Sequence, residues 1–206
     1  MSDAVAVMYI NLAHRSDRRA LIEAELRAHD LREYTRIDAV SLPALGALGC
    51  SLSHIKALET ALTHTTCDAI MVLEDDFVFN TEPSCTAHAL KRLVNTDLDW
   101  DVILLAANVG KSAAVTGDSR PLVKCLGALT TAGYIVRRHY IPTLLENFKE
   151  GARLLSASRD KTAHSIDVHW LSLQQRHDWY IAEPRVGKQR PGYSDIEQRH
   201  CDYGGV

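Results

Sequence analysis

The chain has 206 residues, 46% of them hydrophobic and 24% charged, which is enough apolar material for one packed core and a single domain over 1–206. Its 23 Lys and Arg nearly offset 26 Asp and Glu, leaving a net charge of -3; this excludes a mostly disordered chain and the positive field a sequence-independent nucleic-acid binder needs. The longest apolar run, seven residues from Ala4 to Ile10, is far short of the roughly 20 that cross a bilayer.

In chain order, residues 4–12 are rich in Val, Met, Tyr and Ile and predict a first strand. A polar loop follows, then RRALIEAELRAH, where Leu21, Ile22, Ala24, Leu26 and Ala28 fall at helical spacing. A short second strand is expected at 34–39, and a helix at 46–64 with Leu52, Ile55, Leu58, Ala61 and Leu62 on one face. The run AIMVL at 69–73 has the continuous apolar character of a strand covered on both faces, and it ends abruptly in Glu74, Asp75 and Asp76. Helical material resumes at 84–94 and a buried strand at 101–107, while 108–121 has the Gly, Ser, Asp and Pro content of a loop.

The segment LTTAGYIVRR at 129–138 predicts a strand leading into a helix with Tyr140, Ile141, Leu144, Leu145 and Phe148 on its apolar face and Pro142 in its first turn. Polar composition suggests a loop over 153–164. Asp167 opens a short helix ending near Gln175, DWYIAEP forms a last strand, and 185–206 is expected to be a tail or flexible lid that adds no core. The alternation of strand and helix predicts an α/β domain.

Five scattered cysteines, an odd number with no CxxC pair, argue against a disulfide framework. The amino-terminal apolar stretch lacks a basic leader and a small-residue cleavage site, so a cytoplasmic location is expected. The ten histidines show no HExxH or closely paired Cys/His spacing, so the pattern does not point to zinc.

Four constellations carry chemistry. Glu74, Asp75 and Asp76 stand at the C-terminal edge of a buried strand, where open α/β sheets bind ligands. Adjacent carboxylates repel, and Mg2+ or Mn2+ is their natural counter-charge; the competing reading is a solvated acidic turn. Asn11, His14, Arg15, Asp17, Arg18 and Arg19 lie between a strand and a helix N-terminus, suited to phosphate or to an ordinary solvated first turn. The run Gly49-Cys50-Ser51-Leu52-Ser53-His54 either admits a ligand close to the backbone or caps its helix beside a satisfied histidine, and the cap is favoured. Asp167, in SIDVHW, is either a helix cap or a base.

Taken in this order, YINLAHRSDRR (9–19), GALGCSLSHIKAL (46–58), IMVLEDDFVF (70–79), TAGYIVRR (131–138) and IDVHW (166–170) resemble glycosyltransferase family 25. That group includes bacterial lipopolysaccharide galactosyltransferases and collagen hydroxylysine galactosyltransferases. The resemblance implies a GT-A-like, Rossmann-like domain with a central, mostly parallel sheet flanked by helices. It also implies a nucleotide-sugar donor, commonly UDP-linked, Mn2+ (or Mg2+) at the acidic motif, and a role in lipopolysaccharide or other glycan biosynthesis. On that basis Asp76, with Asp75, is assigned to the metal and diphosphate, and Arg15, Asp17 and Arg18 to the nucleotide pocket.

The expected donor-binding set is Asn11, Arg15, Asp17, Arg18, Ser53, His54, Glu74, Asp75 and Gln189. Asp167 is the expected base, with Asp195 and Glu74 as rivals. The resulting reading is a metal-dependent transferase moving galactose or glucose from a nucleotide-sugar to a glycan or other hydroxyl acceptor, with inversion by direct displacement. Two alternatives stand beside it: a metal-dependent hydrolase or nucleotidyltransferase acting on a nucleotide-sugar, and a non-catalytic nucleotide-sugar or glycan-binding module.

Overall fold

Along β1 (Val5–Asn11), Val5, Val7 and Tyr9 join one buried cluster while Met8 and Ile10 join another, as period-2 side chains must when both faces of a strand are covered. The computed structural model describes residues 5–115 and 121–202. After β1 come α1 (Ser16–Ala28), β2 (Thr35–Asp38), a 3₁₀ turn at Pro43–Leu45, α2 (Gly46–His64), β3 (Ala69–Glu74), β4 (Phe77–Phe79) and α3 (Pro83–Val94). The second half holds β5 (Val102–Leu104), β6 (Asn108–Ala113), β7 (Leu122–Leu129), β8 (Gly133–Arg137) and α4 (Ile141–Ser158). Three one-turn helices follow, α5 (Lys161–His164), α6 (Ile166–His169) and α7 (Leu171–Gln174), then β9 (Trp179–Ala182), β10 (Gly187–Gln189), β11 (Gly192–Ser194) and β12 (Arg199–Cys201).

Eight strands form the central sheet in the order β2-β1-β3-β8-β5-β9-β7-β6. β2, β1, β3, β5, β9 and β6 run one way, while β8 and β7 oppose them. The sheet is therefore mostly parallel, in agreement with the expected α/β class. Alternating faces build two cores. Met8, Ile70, Val72, Val136 and Trp179 pack with Leu58 of α2, Leu144 and Phe148 of α4 and Trp170. Val7, Tyr9, Met71, Leu73 and Ile135 pack with Ile22 and Leu26 of α1 and Leu90 and Leu93 of α3.

Three sequence expectations need correction. The loop expected at 108–121 contains β6, an edge strand whose six residues are all exposed, so no apolar alternation marks it; its ladder to β7 also shifts register near Lys111, which blurs the period. Residues 116–120 lie outside the described residues. The segment 153–164 is not a loop: α4 continues because Ala152 and Leu155 extend the buried stripe of Leu144, Leu145 and Phe148, and it stops where Arg159 adopts φ 58°. Finally, the tail does contribute to the core. Val186 is buried, and β10 pairs antiparallel with β4.

Gln174, fully buried on α7, substitutes for a strand neighbour by accepting from Ala128 N at 2.8 Å and donating to Ala128 O at 2.9 Å. Its amide thereby satisfies strand groups that burial would otherwise leave unpaired. Among the described residues no helix is long and apolar enough to cross a membrane, and no disulfide joins any of the five cysteines.

Candidate functional site

The site begins where β1 and β3 end side by side, with Ile10 opposite Glu74 in the ladder. Asn11 is thus carried to the acidic turn, and its Nδ2 donates to Asp75 Oδ2 at 2.7 Å and to Arg15 O at 3.1 Å. Arg36 on β2 holds the other end of that amide, Nε donating to Asn11 Oδ1 at 3.1 Å. From the first turn of α1, Arg18 Nη1 donates to Asp75 Oδ1 at 2.9 Å and to Asp76 Oδ2 at 3.1 Å, while its Nη2 donates to Tyr193 O at 2.7 Å. The pairing of Gln189 with Phe77 brings the tail back over the acids: Gln189 Nε2 donates to Asp76 Oδ2 at 3.1 Å and Arg190 N to Asp76 O at 2.7 Å.

Asp75 and Asp76 are 9% and 7% exposed, so these are carboxylates taken out of water and not a solvated turn. Burial raises the Asp75 carboxyl above its usual range against the pull of Arg18 and Asn11. Asp76 is pushed up to about 7, by burial first and then by Glu74 and Asp75, although Arg18 lowers it. Its Oδ1 is buried and has no hydrogen-bond partner. A single guanidinium shared by crowded acids, with one oxygen left over, is a site short of positive charge. Hard oxygens from adjacent carboxylates match the donor set that Mg2+ and Mn2+ prefer, so the residues fit a divalent cation.

Glu74 ends β3 and accepts from Thr131 Oγ1 at 2.6 Å, with His54 Nε2 3.5 Å from the same oxygen. Burial alone would raise this carboxyl, but His54, Thr131 and Arg18 together hold it below the usual value. His54 is fully buried on α2 and stacks on the Tyr134 ring at 5.7 Å, its Nδ1 3.2 Å from the Tyr134 hydroxyl. The favoured cap reading of 49–54 is incorrect. α2 already starts at Gly46 behind Leu45, which makes no side-chain cap, so Ser51 and Ser53 lie in the helix and donate to Ala47 O and Gly49 O. His54 Nε2 makes no hydrogen bond and stands against the Glu74 carboxylate at 3.5 Å. Ser53 Oγ also accepts from Val40 N at 2.8 Å, and a Cβ on Gly49 would come 2.6 Å from Val40 O. Only glycine lets α2 approach the β2–α2 segment so closely.

A cavity of about 290 Å³ opens over these groups, at the lower end of ligand pockets. Asn11, Arg18, Ser53, His54, Glu74, Asp75, Asp76 and Gln189 line it, together with Asp195 and the partly exposed apolar side chains of Leu42, Tyr193 and Ile196. Those three apolar residues carry no signal in the sequence: Leu42 lies in an irregular segment, and Tyr193 and Ile196 fall in the stretch expected to be a tail. Arg15 and Asp17 do not line the cavity. Arg15 forks onto Asp17 from Nε and Nη2 at 3.0 and 2.9 Å and is ion-paired to Asp195 through Nη1, and Asp17 is held down at about 2 by Arg15.

Asp167 also lies outside the lining but touches it through Thr130. Its Oδ2 accepts from Thr130 N at 3.1 Å and its Oδ1 from Ser165 Oγ at 3.0 Å. Thr130 Oγ1 in turn donates to Gln189 Oε1 at 3.3 Å. Ser165, not Asp167, occupies the cap position of α6. Thr130 sits at φ 76°, a left-handed conformation that costs a β-branched residue roughly 1–3 kcal/mol. Two side chains of the site hold that strained residue in place.

The fold is similar to that of a glycosyltransferase involved in the glycosylation of the major capsid of PBCV-1, at 11% identity and a TM-score of 0.54, covering 95% of this chain and 96% of that one. It is also similar to a mannose-1-phosphate geranyltransferase from Thermus thermophilus, at 9% identity and a TM-score of 0.50 over 95% and 76% of the two chains. A third similar structure is the glycosyltransferase GlyE of Streptococcus pneumoniae, at 8% identity and a TM-score of 0.50 over 88% of this chain and 46% of that one. These likenesses concern the fold, which is GT-A-like. No protein-family model matches the chain, and no curated protein does.

Proposed function

We propose that the protein is a metal-dependent glycosyltransferase of the family 25 type, moving galactose or glucose from a UDP-linked donor to a hydroxyl of a glycan, in lipopolysaccharide or related glycan synthesis in the cytoplasm. The observation that carries this reading is the buried Asp75–Asp76 pair at a strand end, sharing Arg18 and leaving Asp76 Oδ1 unpartnered inside a ligand-sized cavity. Asp76 and Asp75 would hold Mn2+ or Mg2+. Bound there, the cation offsets the negative charge that grows on a diphosphate leaving group.

The chain's own residues do the rest. Arg18 lies at the cavity wall with a guanidinium suited to forked contacts with a diphosphate. Asn11 and Gln189 fix the two carboxylates in place from β1 and β10. Leu42, Tyr193 and Ile196 supply apolar surface for the nucleoside. Arg15 acts behind the wall, orienting Asp195, while Asp17 orients Arg15. Asp167 serves as the base that accepts the acceptor hydroxyl's proton. Both of its oxygens are aimed by neutral donors, and the strained Thr130 ties it to Gln189 and so to Asp76. A carboxylate on the acceptor side and a leaving group on the other produce a single in-line displacement and inversion.

The direct test follows UDP release from UDP-galactose and UDP-glucose with Mn2+, with and without a glycan acceptor. Release that depends on the acceptor supports transfer. Release at the same rate into water alone supports the hydrolase reading, and donor binding without any release supports the binding module.

A further inference from the structure

We propose that Cys50, His54 and Glu74 form a second cation site, on the cavity wall and separate from the Asp75–Asp76 pair, with the sulfur, nitrogen and oxygen donor set of Zn2+. Each of the three offers a ligand atom, and these atoms all lie within 4.8 Å of one another. His54 Nε2 and Glu74 Oε1 are 3.5 Å apart. Around a tetrahedral zinc with bonds of about 2.0–2.3 Å, neighbouring ligand atoms are separated by roughly 3.3–3.8 Å, so closure requires side-chain movements of about 1 Å.

The contacts already present prepare the ligands. His54 is 0% exposed, its Nδ1 lies 3.2 Å from the Tyr134 hydroxyl, and its Nε2, 3.5 Å from Glu74 Oε1, makes no hydrogen bond. In the tautomer that carries its hydrogen on Nδ1, the Nε2 lone pair and the Glu74 carboxylate face each other, and a cation between them would satisfy both. Tyr134 on the far ring nitrogen and Thr131 on Glu74 supply the outer contacts that aim ligands at a metal. Cys50 and His54 stand four residues apart on α2, hence on one helix face.

Donor chemistry separates the two sites. A thiolate and an imidazole favour zinc or cobalt over Mg2+ and Mn2+, whereas Asp75 and Asp76 offer only oxygen. Cys50, His54 and Glu74 all line the cavity, and three protein ligands would leave one position of a four-coordinate zinc for water or a ligand.

The test is a Co2+ titration of the metal-stripped, full-length protein, followed by the thiolate-to-cobalt absorption in the near ultraviolet and by Zn2+ competition. We expect one equivalent to produce that absorption and Zn2+ to bleach it. Cys50→Ser, close to isosteric, should remove the band. Tyr134→Phe should keep the band and weaken binding about 10- to 100-fold, and Asp76→Asn should leave it intact. A missing thiolate band, a band that persists in Cys50→Ser, or one that vanishes in Asp76→Asn would overturn the proposal.

Discussion

Asp76→Asn should make the metal-free protein more stable relative to the parent as the pH rises. Asp76 is 7% exposed, and its carboxyl is pushed up to about 7 from 3.8 by burial and two neighbouring acids. The folded parent therefore holds a proton that the unfolded chain has lost. Stability is fully present below the unfolded value near 4 and is lost as pH climbs through 7. A shift of about 3 units corresponds to roughly 4 kcal/mol at high pH. About 1.5 of that is already lost by pH 5, leaving about 2.5 kcal/mol between pH 5 and pH 8. Asparagine does not titrate, so any fixed gain or loss from its amide cancels when the two pH values are compared.

Urea unfolding of both proteins in EDTA at pH 5 and pH 8 measures this directly. The stability of Asp76→Asn minus that of the parent should grow by about 2 kcal/mol from pH 5 to pH 8. Added Mn2+ should then stabilise the parent at pH 8 and not the variant. A difference that stays flat with pH, or that shrinks, would refute the view that Asp76 is a crowded, charge-starved carboxylate.

Arg18→Gln removes the one guanidinium shared by Asp75 and Asp76; at pH 8 without metal it should cost about 3 kcal/mol in urea unfolding, and Mn2+ should recover part of the loss. Asp167→Asn keeps an oxygen for Thr130 N, so turnover should fall about 10²- to 10⁴-fold while donor binding by calorimetry is unchanged; a loss of binding would assign Asp167 to the donor instead. Gly187→Ala puts a Cβ 2.8 Å from Val78 O and into the Phe77 ring. Forcing β10 off β4 in this way should cost about 2 kcal/mol, visible as a melting temperature lower by roughly 4–8 °C.

The strand ends were legible because burial on both faces leaves an uninterrupted apolar run, and AIMVL ending in three acids could stop nowhere but at a sheet edge. The helix α2 was likewise readable from Ile55, Leu58 and Ala61, and the structure starts and stops it at the expected residues. What escaped was held by backbone or by distant partners. β6 is exposed throughout and needs only its ladder to β7. The far half of α4 looked polar because composition hid the spacing of Ala152 and Leu155. In the site, Arg18 could be picked out beside a helix start, but its sharing between Asp75 and Asp76 depends on the β1–β3 register. Arg15 and Asp17 are equally close in sequence, yet they pair with each other, and Arg15 with Asp195, instead of lining the cavity. Tyr193 and Ile196 reach the cleft only because β10 returns along β4, a long-range pairing with no local mark.

The claim that Asp75 and Asp76 hold a cation for a nucleotide-sugar diphosphate is tested most directly by thermal unfolding with UDP-, GDP- and CMP-sugars, each with and without Mn2+, in the parent and in Asp76→Asn. A ligand at about 100 times its Kd adds about 2.7 kcal/mol, which raises the melting temperature by roughly 5–10 °C. We expect that rise for a UDP-sugar with Mn2+ in the parent, and neither without the metal nor in the variant. An equal rise in Asp76→Asn, or none with any sugar nucleotide and metal together, would contradict the account.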